Sequence, residues 1–120
     1  MTTVVDPTGT TSAIFNRGGT AMISVSAAGS LPTDATVIPH VSGHTIVLGT
    51  ATSSDQGFIF DSAFEVGDVV EIYMVSGSTL AEIYPQSGGE IRGNSSGGGL
   101  ARSNYLRKVS SIDWLFIATA

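Results

Sequence analysis

Apolar residues along this chain recur in short runs, and almost never at the spacing of a helix. No stretch longer than a turn places apolar residues at i, i+3, i+4 and i+7 without Gly, Pro or a Ser/Thr cluster breaking it. The runs are rich in Val, Ile, Thr, Phe and Tyr and are divided by turn residues, which is the pattern of strands. They are Thr20–Ser26 (TAMISVS), Ala35–Pro39 (ATVIP), His44–Leu48 (HTIVL) and Gly57–Phe60 (GFIF). Then follow Asp68–Val75 (DVVEIYMV), Thr79–Tyr84 (TLAEIY), Tyr105–Val109 (YLRKV) and Ile112–Ala118 (IDWLFIA). About eight short strands with turn signals every ten or so residues predict an all-β domain.

Alternation assigns faces. In the run from Val69, one face carries Val70, Ile72 and Met74 and the other Val69, Glu71 and Tyr73. In Leu80–Tyr84, Ala81 and Ile83 oppose Leu80, Glu82 and Tyr84. With Val66-Gly67 and Ser76-Gly77-Ser78 read as turns, these two strands are expected to pair as an antiparallel hairpin. Trp114, Phe116, Phe58, Phe60 and Ile112 are the bulky core candidates.

Two segments do not read as strands. Residues 1–19 set Val4, Val5, Ile14 and Phe15 in a Thr/Gly/Pro background, which suggests an arm that orders against a neighbour. Residues 85–99, PQSGGEIRGNSSGGG, hold six glycines and read as a turn-rich connection. They lack both the G-x-x-x-x-G-K-[ST] pattern and the following helix of a phosphate loop.

Composition narrows the function. Five Lys+Arg against ten Asp+Glu give a net charge of −5, which disfavours nucleic acid and anionic membranes as partners. Arg102, Arg107 and Lys108 fall close together and are expected on a solvated face. Only 12% of residues are charged, where about 25% is usual, which implies either a surface partly covered by a partner or by further copies, or one wetted by the plentiful Ser and Thr. The chain has no cysteine, which fits assembly in a reducing cytoplasm. Its first residues, MTTVVDP, lack the basic and apolar regions of a signal peptide.

Chemistry is thin. His40 and His44 flank a Ser42-Gly43 turn, with Asp34 the nearest carboxylate in sequence, and no third ligand is evident. No G-x-S-x-G elbow occurs. Glu71 and Glu82 could lie across the expected hairpin, which marks a solvent-facing side more simply than a glycosidase pair. The expectation is a non-enzymatic chain with no cofactor and no metal.

Several residues carry a resemblance. They are Ala27-Ala28-Gly29-Ser30, Asp34-Ala35-Thr36, Gly67-Asp68-Val69-Val70, the segment Ile83-Tyr84-Pro85-Gln86-Ser87-Gly88-Gly89-Glu90-Ile91-Arg92-Gly93, and Trp114. From Ala27 onward the chain resembles a family of small β-rich virion proteins of tailed phages. It departs from that family's pattern after Gly93, at Asn94-Ser95-Ser96-Gly97-Gly98-Gly99. The resemblance implies a capsid decoration or cement protein that binds major capsid protein and itself, as a homodimer or homotrimer, on the virion surface. A tail-fibre, tailspike or head-fibre domain that binds virion proteins or host glycans is the alternative. The expected fold is a jelly-roll-like antiparallel β-sandwich over residues 20–120, with an extended arm over 1–19. Val4, Val5, Ile14 and Phe15 are the expected protein-interface residues.

Overall fold

Period-two burial runs through the strands and sorts their side chains between a shared core and an outer face. The computed structural model describes residues 11–17, 19–91 and 97–119. Among them are ten strands and no helix: β1 (Thr11–Arg17), β2 (Thr20–Ser26), β3 (Thr36–Ile38), β4 (His44–Thr50), β5 (Gly57–Phe60), β6 (Val69–Met74), β7 (Glu82–Tyr84), β8 (Gly98–Gly99), β9 (Ser103–Lys108) and β10 (Trp114–Thr119). They form a six-stranded sheet of order β1-β2-β4-β6-β9-β10 and a four-stranded sheet of order β3-β5-β7-β8.

Both sheets are mixed, and the all-antiparallel expectation is corrected here. From β2 to β7 the chain places successive strands in alternate sheets. Each strand therefore pairs in parallel with the strand two further on: β2 with β4, β4 with β6, β3 with β5 and β5 with β7. Thr20 pairs with His44 and His44 with Val69, a repeat of 24 and then 25 residues. The result is a wound stack in which each coil supplies one strand to each sheet. The expected hairpin of β6 and β7 does not form, because the two strands lie in different sheets. Residues 75–81 instead form a corner that lies on the preceding one: Val75 N donates to Gly49 O at 3.0 Å and Thr79 N to Ala51 O at 3.1 Å. Alternation is the same in parallel and antiparallel strands, so it names the buried face but not the partner.

Antiparallel strands close the two ends. At the start of the stack, β1 pairs with β2, Thr11 opposite Val25 and Arg17 opposite Thr20. Residues 11–17, expected within an extended arm, thus belong to a sheet of their own chain. At the far end, β8 runs antiparallel to β7, β9 antiparallel to β6, and β10 antiparallel to β9.

The inner faces meet in one core. Ile23, Val47, Val70, Ile72 and Leu106 of the six-stranded sheet face Ile38, Phe58 and Ile83 of the other. Trp114 on β10 stacks on Phe60 of β5, with ring centroids 3.7 Å apart, and Phe64 meets both rings edge-on. Of the expected core residues, Phe58, Phe60 and Trp114 are buried and Phe116 is half-buried, whereas Ile112 is exposed. Lys108 corrects another expectation. It is 2% exposed, and its Nζ donates to Phe64 O at 2.6 Å, so it tethers the aromatic cluster from inside. The register of β9 turns Arg107 outward and Lys108 inward, which splits the expected basic face.

The outer side of the four-stranded sheet depends on Gly57. The Tyr84 ring lies across it, so that an added Cβ would fall 2.2 Å from Tyr84 Cε2. The Tyr84 hydroxyl donates to Ser30 O at 3.0 Å. Gly57→Ala is expected to cost about 1–3 kcal/mol through this overpacking, measured by urea denaturation. Burial pushes the Tyr84 phenol up from its ordinary 10.0, with the charges of Glu82, Asp34 and Asp55 adding to the shift. A raised folded-state value favours the neutral phenol in the fold. Its contribution is therefore full below pH 10 and is lost as pH climbs through the raised value. Unfolding midpoints should fall in that alkaline window for the native chain. Tyr84→Phe should lessen that fall and cost about 1 kcal/mol at neutral pH for the missing hydrogen bond.

Candidate functional site: the outer face of the six-stranded sheet

Parallel register brings polar side chains of successive coils side by side on the outer face of the larger sheet. Thr20 and His44 are direct partners on β2 and β4, and Thr20 Oγ1 lies 3.3 Å from His44 Nδ1. Glu71 on β6 sits diagonally from His44, and its Oε2 bonds His44 Nε2. The other carboxylate oxygen, Oε1, accepts the Tyr73 hydroxyl at 2.6 Å. A hydrogen-bonded line thus runs Thr20–His44–Glu71–Tyr73 across three strands. The Glu71 hydrogen bond is the main reason the Tyr73 phenol is held above 10.0, followed by burial and the Glu71 charge.

The second histidine repeats the arrangement one corner away. His40 Nε2 lies 3.3 Å from Asp68 Oδ2, and its ring meets Phe64 edge-on at 5.0 Å. Asp68 Oδ2 also accepts Glu65 N at 2.7 Å. Each histidine therefore joins its own coil to a carboxylate of the next. His40 and His44 do not share a ligand, and Asp34 is engaged elsewhere, capping Leu31 N at 2.9 Å. Among the described residues no group of three or more His, Asp or Glu is placed to hold a metal ion. Glu71 and Glu82 lie in different sheets and do not form a pair.

Hydroxyl, imidazole and carboxylate in line is also the order of a nucleophile relay. Here the line lies on an open sheet face, and both Glu71 oxygens are already engaged. Its evident effect is to clip β2, β4 and β6 together. Around it the face is apolar and aromatic. Met22, Ile46 and Leu48 are half-buried, Tyr105 is paired opposite Glu71, and Tyr73 is exposed. Beyond Arg107, Leu115 and Ile117 project from β10 at 42% and 51% exposure. Val109 and Ile112, in the turn leading into β10, are exposed as well.

Of the expected interface residues, Val4 and Val5 lie outside the described residues. Phe15 is placed by the β1 backbone opposite Met22, and Ile14 falls at the register shift between Ala13 and Phe15. Nothing in the sequence singled out Leu115, Ile117 or Val109 as exposed, because their run reads as a buried strand.

The glycine-rich segment forms something more definite than a connection. Residues 85–90, with Pro32 and Thr33, line an open cleft of about 440 Å³. Gly88 has φ +80°, and a Cβ on Gly89 would fall 2.0 Å from Ile112 O, so the Gly-Gly pair lets this turn close onto the 109–113 turn. Gly89 N donates to Gln86 O at 2.8 Å and Trp114 N to Glu90 O at 3.0 Å. Residues 92–96 lie outside the described residues.

Comparison with protein families, with curated proteins and with solved structures finds no match to this chain.

The hydrogen-bonded line makes one spectroscopic prediction. In Glu71→Gln the carboxylate charge beside Tyr73 is gone, so Tyr73 should ionise at lower pH than in the native chain. Phenolate absorbance in a pH titration, with Tyr73→Phe to assign the step, reads this directly. An unchanged titration would contradict the Tyr73–Glu71 contact.

Proposed function

We propose that this chain is a structural binding protein, and specifically a decoration protein that sits on a tailed-phage capsid as a dimer or trimer and bridges adjacent major capsid protein subunits. The observation that carries this reading is the exposure of Val109, Ile112, Leu115 and Ile117 within nine residues of a charge-poor chain. Exposed apolar side chains gathered in one short stretch are the material of a protein interface. Each Å² of apolar surface covered there is worth about 25 cal/mol. An oligomer multiplies the gain, since contacts after the first become intramolecular. The resemblance carried by Tyr84–Gly93 and Trp114 supplies the particular partner.

The test is light scattering on the purified protein, followed by co-sedimentation with expanded capsids that lack it. A defined oligomer that pellets in fixed stoichiometry is expected. Leu115→Lys and Ile117→Lys should weaken pelleting about tenfold or more while leaving the β-sheet circular dichroism unchanged. Native protein that stays in the supernatant as a monomer overturns the reading.

One observation favours a second reading, a fibre or tailspike domain that binds glycans. Tyr73 and Tyr105 lie on the outer face around Glu71, which pairs with Tyr105. Aromatic rings beside a carboxylate suit the apolar face and hydroxyls of a pyranose. Binding on a glycan array that disappears in Tyr73→Ala would select this reading over the first.

A further inference from the structure

The larger sheet packs its inner side on the four-stranded sheet, and among the described residues no further sheet and no helix lies against its outer side. Register sets the outward side chains in rows. Met22, Ile46, Glu71 and Tyr105 stand in one row across β2, β4, β6 and β9, and Leu48 and Tyr73 are partners in the next. Met22, Ile46, Leu48 and Tyr105 are half-buried and Tyr73 is 37% exposed, so each keeps apolar surface in water. Three further properties of this face point to what covers it.

The first is that its polar groups satisfy one another. Glu71 accepts from His44 through one carboxylate oxygen and from Tyr73 through the other, and the second nitrogen of His44 lies 3.3 Å from Thr20 Oγ1. Ser26 and Thr50, partners at the end of the face, bond through their hydroxyls at 3.0 Å. A face kept in water has no need of such pairing, whereas covering a polar group that is left alone is costly. The Glu71 side chain is already withdrawn to 16% exposure. The second property is charge. The chain carries −5 overall, yet among the described residues Glu71 is the only Asp or Glu on the strands of this sheet, and β9 sets the exposed Arg107 on the same face. Two copies of an acidic chain repel across most approaches, but not across this one. The third is size. Six strands about 4.8 Å apart and about 20 Å long span roughly 600 Å² in plan, before the relief of the side chains is added. A standard interface takes about 800 Å² from each partner.

We infer that the outer face of the six-stranded sheet is a self-association surface, on which a second copy of this chain packs its own outer face, sheet on sheet, about a two-fold axis. Packed sheets lie about 10 Å apart with their side chains interdigitated, so Ile46, Leu48 and Tyr73 become core residues of the dimer. A flat face that meets its own image is used up by a single partner, which closes the assembly at two copies rather than three. The 109–113 turn stands at the end of the sheet, where Val109 and Ile112 stay free for another partner. The dimer rests on the oligomeric part of the function proposed above and forms without a capsid.

Sedimentation velocity on the purified full-length chain is the first measurement, and a dimer is expected. Ile46→Arg sets a charge from each copy in the middle of the contact and should weaken dimerisation about tenfold or more, with the β-sheet circular dichroism unchanged. Val37→Arg, at an exposed position on the outer side of the other sheet, should leave the dimer intact. Cross-linking is the second measurement, made direct by the lack of cysteine in the native chain, and it decides if Ile46→Arg does not fold. Ile46→Cys, Leu48→Cys and Tyr73→Cys are each treated with a short bis-maleimide. At least one is expected to give a covalent dimer, where Val37→Cys gives none. A trimer, a dimer that keeps its strength in a folded Ile46→Arg, or cross-links from Val37→Cys alone overturn the inference. An oligomer of that kind that still pellets with capsids leaves the proposed function standing. A native chain that is monomeric at every concentration overturns both, and Tyr73-dependent glycan binding by that monomer assigns the face to a sugar.

Discussion

Every coil of this protein must hand a complete row of backbone donors and acceptors to the next, and the rest of the structure follows from that requirement. The parallel ladders β2–β4–β6 and β3–β5–β7 meet it within the sheets. The corners meet it between them, as where Val69 N donates to Gly43 O and Ala27 N to Thr50 O. Because buried backbone groups left unpaired are costly, the stack cannot simply stop. It is closed at the far end by chain running in the opposite direction, and the aromatic cluster of Phe60, Phe64 and Trp114 fills the core beneath that closure.

The strands themselves were largely legible. β2 matches its expected run residue for residue, β4 and β6 match to within two residues, and the inward set Val70, Ile72 and Met74 is buried as alternation requires. Partner choice was not legible. A faint trace of the coil repeat in the sequence is the pair Val41-Ser42-Gly43-His44 and Val66-Gly67-Asp68-Val69, two corners one coil apart that lead into paired strands. At the 25-residue offset only Val41 and Val66 are identical, so the corners are easily passed over as two unrelated turns, and reading them so turned a coil into hairpins. Residues 11–17 were missed as a strand because Asn16 and Arg17 give them no clean apolar face.

The candidate site was harder still, since it exists only through register. Thr20, His44, Glu71 and Tyr73 are 24, 27 and 2 residues apart in turn and share no motif. Parallel stacking sets them in line. The same stacking sets His40 against Asp68, so the two histidines that looked like a metal pair are two copies of one inter-coil contact. Lys108 shows the opposite hazard. A cation next to Arg107 reads as surface, yet strand alternation carries it into the core, where a backbone carbonyl takes its ammonium group.

The wound architecture also constrains how this protein can change in length over evolutionary time. A single residue gained or lost inside β4 would turn half that strand inside out, because neighbouring positions face opposite ways. The same change in a corner is absorbed, as the unequal offsets show: Thr36 to Phe58 is 22 residues, while Phe58 to Ile83 is 25. A whole coil of some 24 or 25 residues is the other neutral step, since it presents the same two edges that it received. Lineages descending from this chain should therefore differ by small corner insertions or by full coils, with few sizes in between.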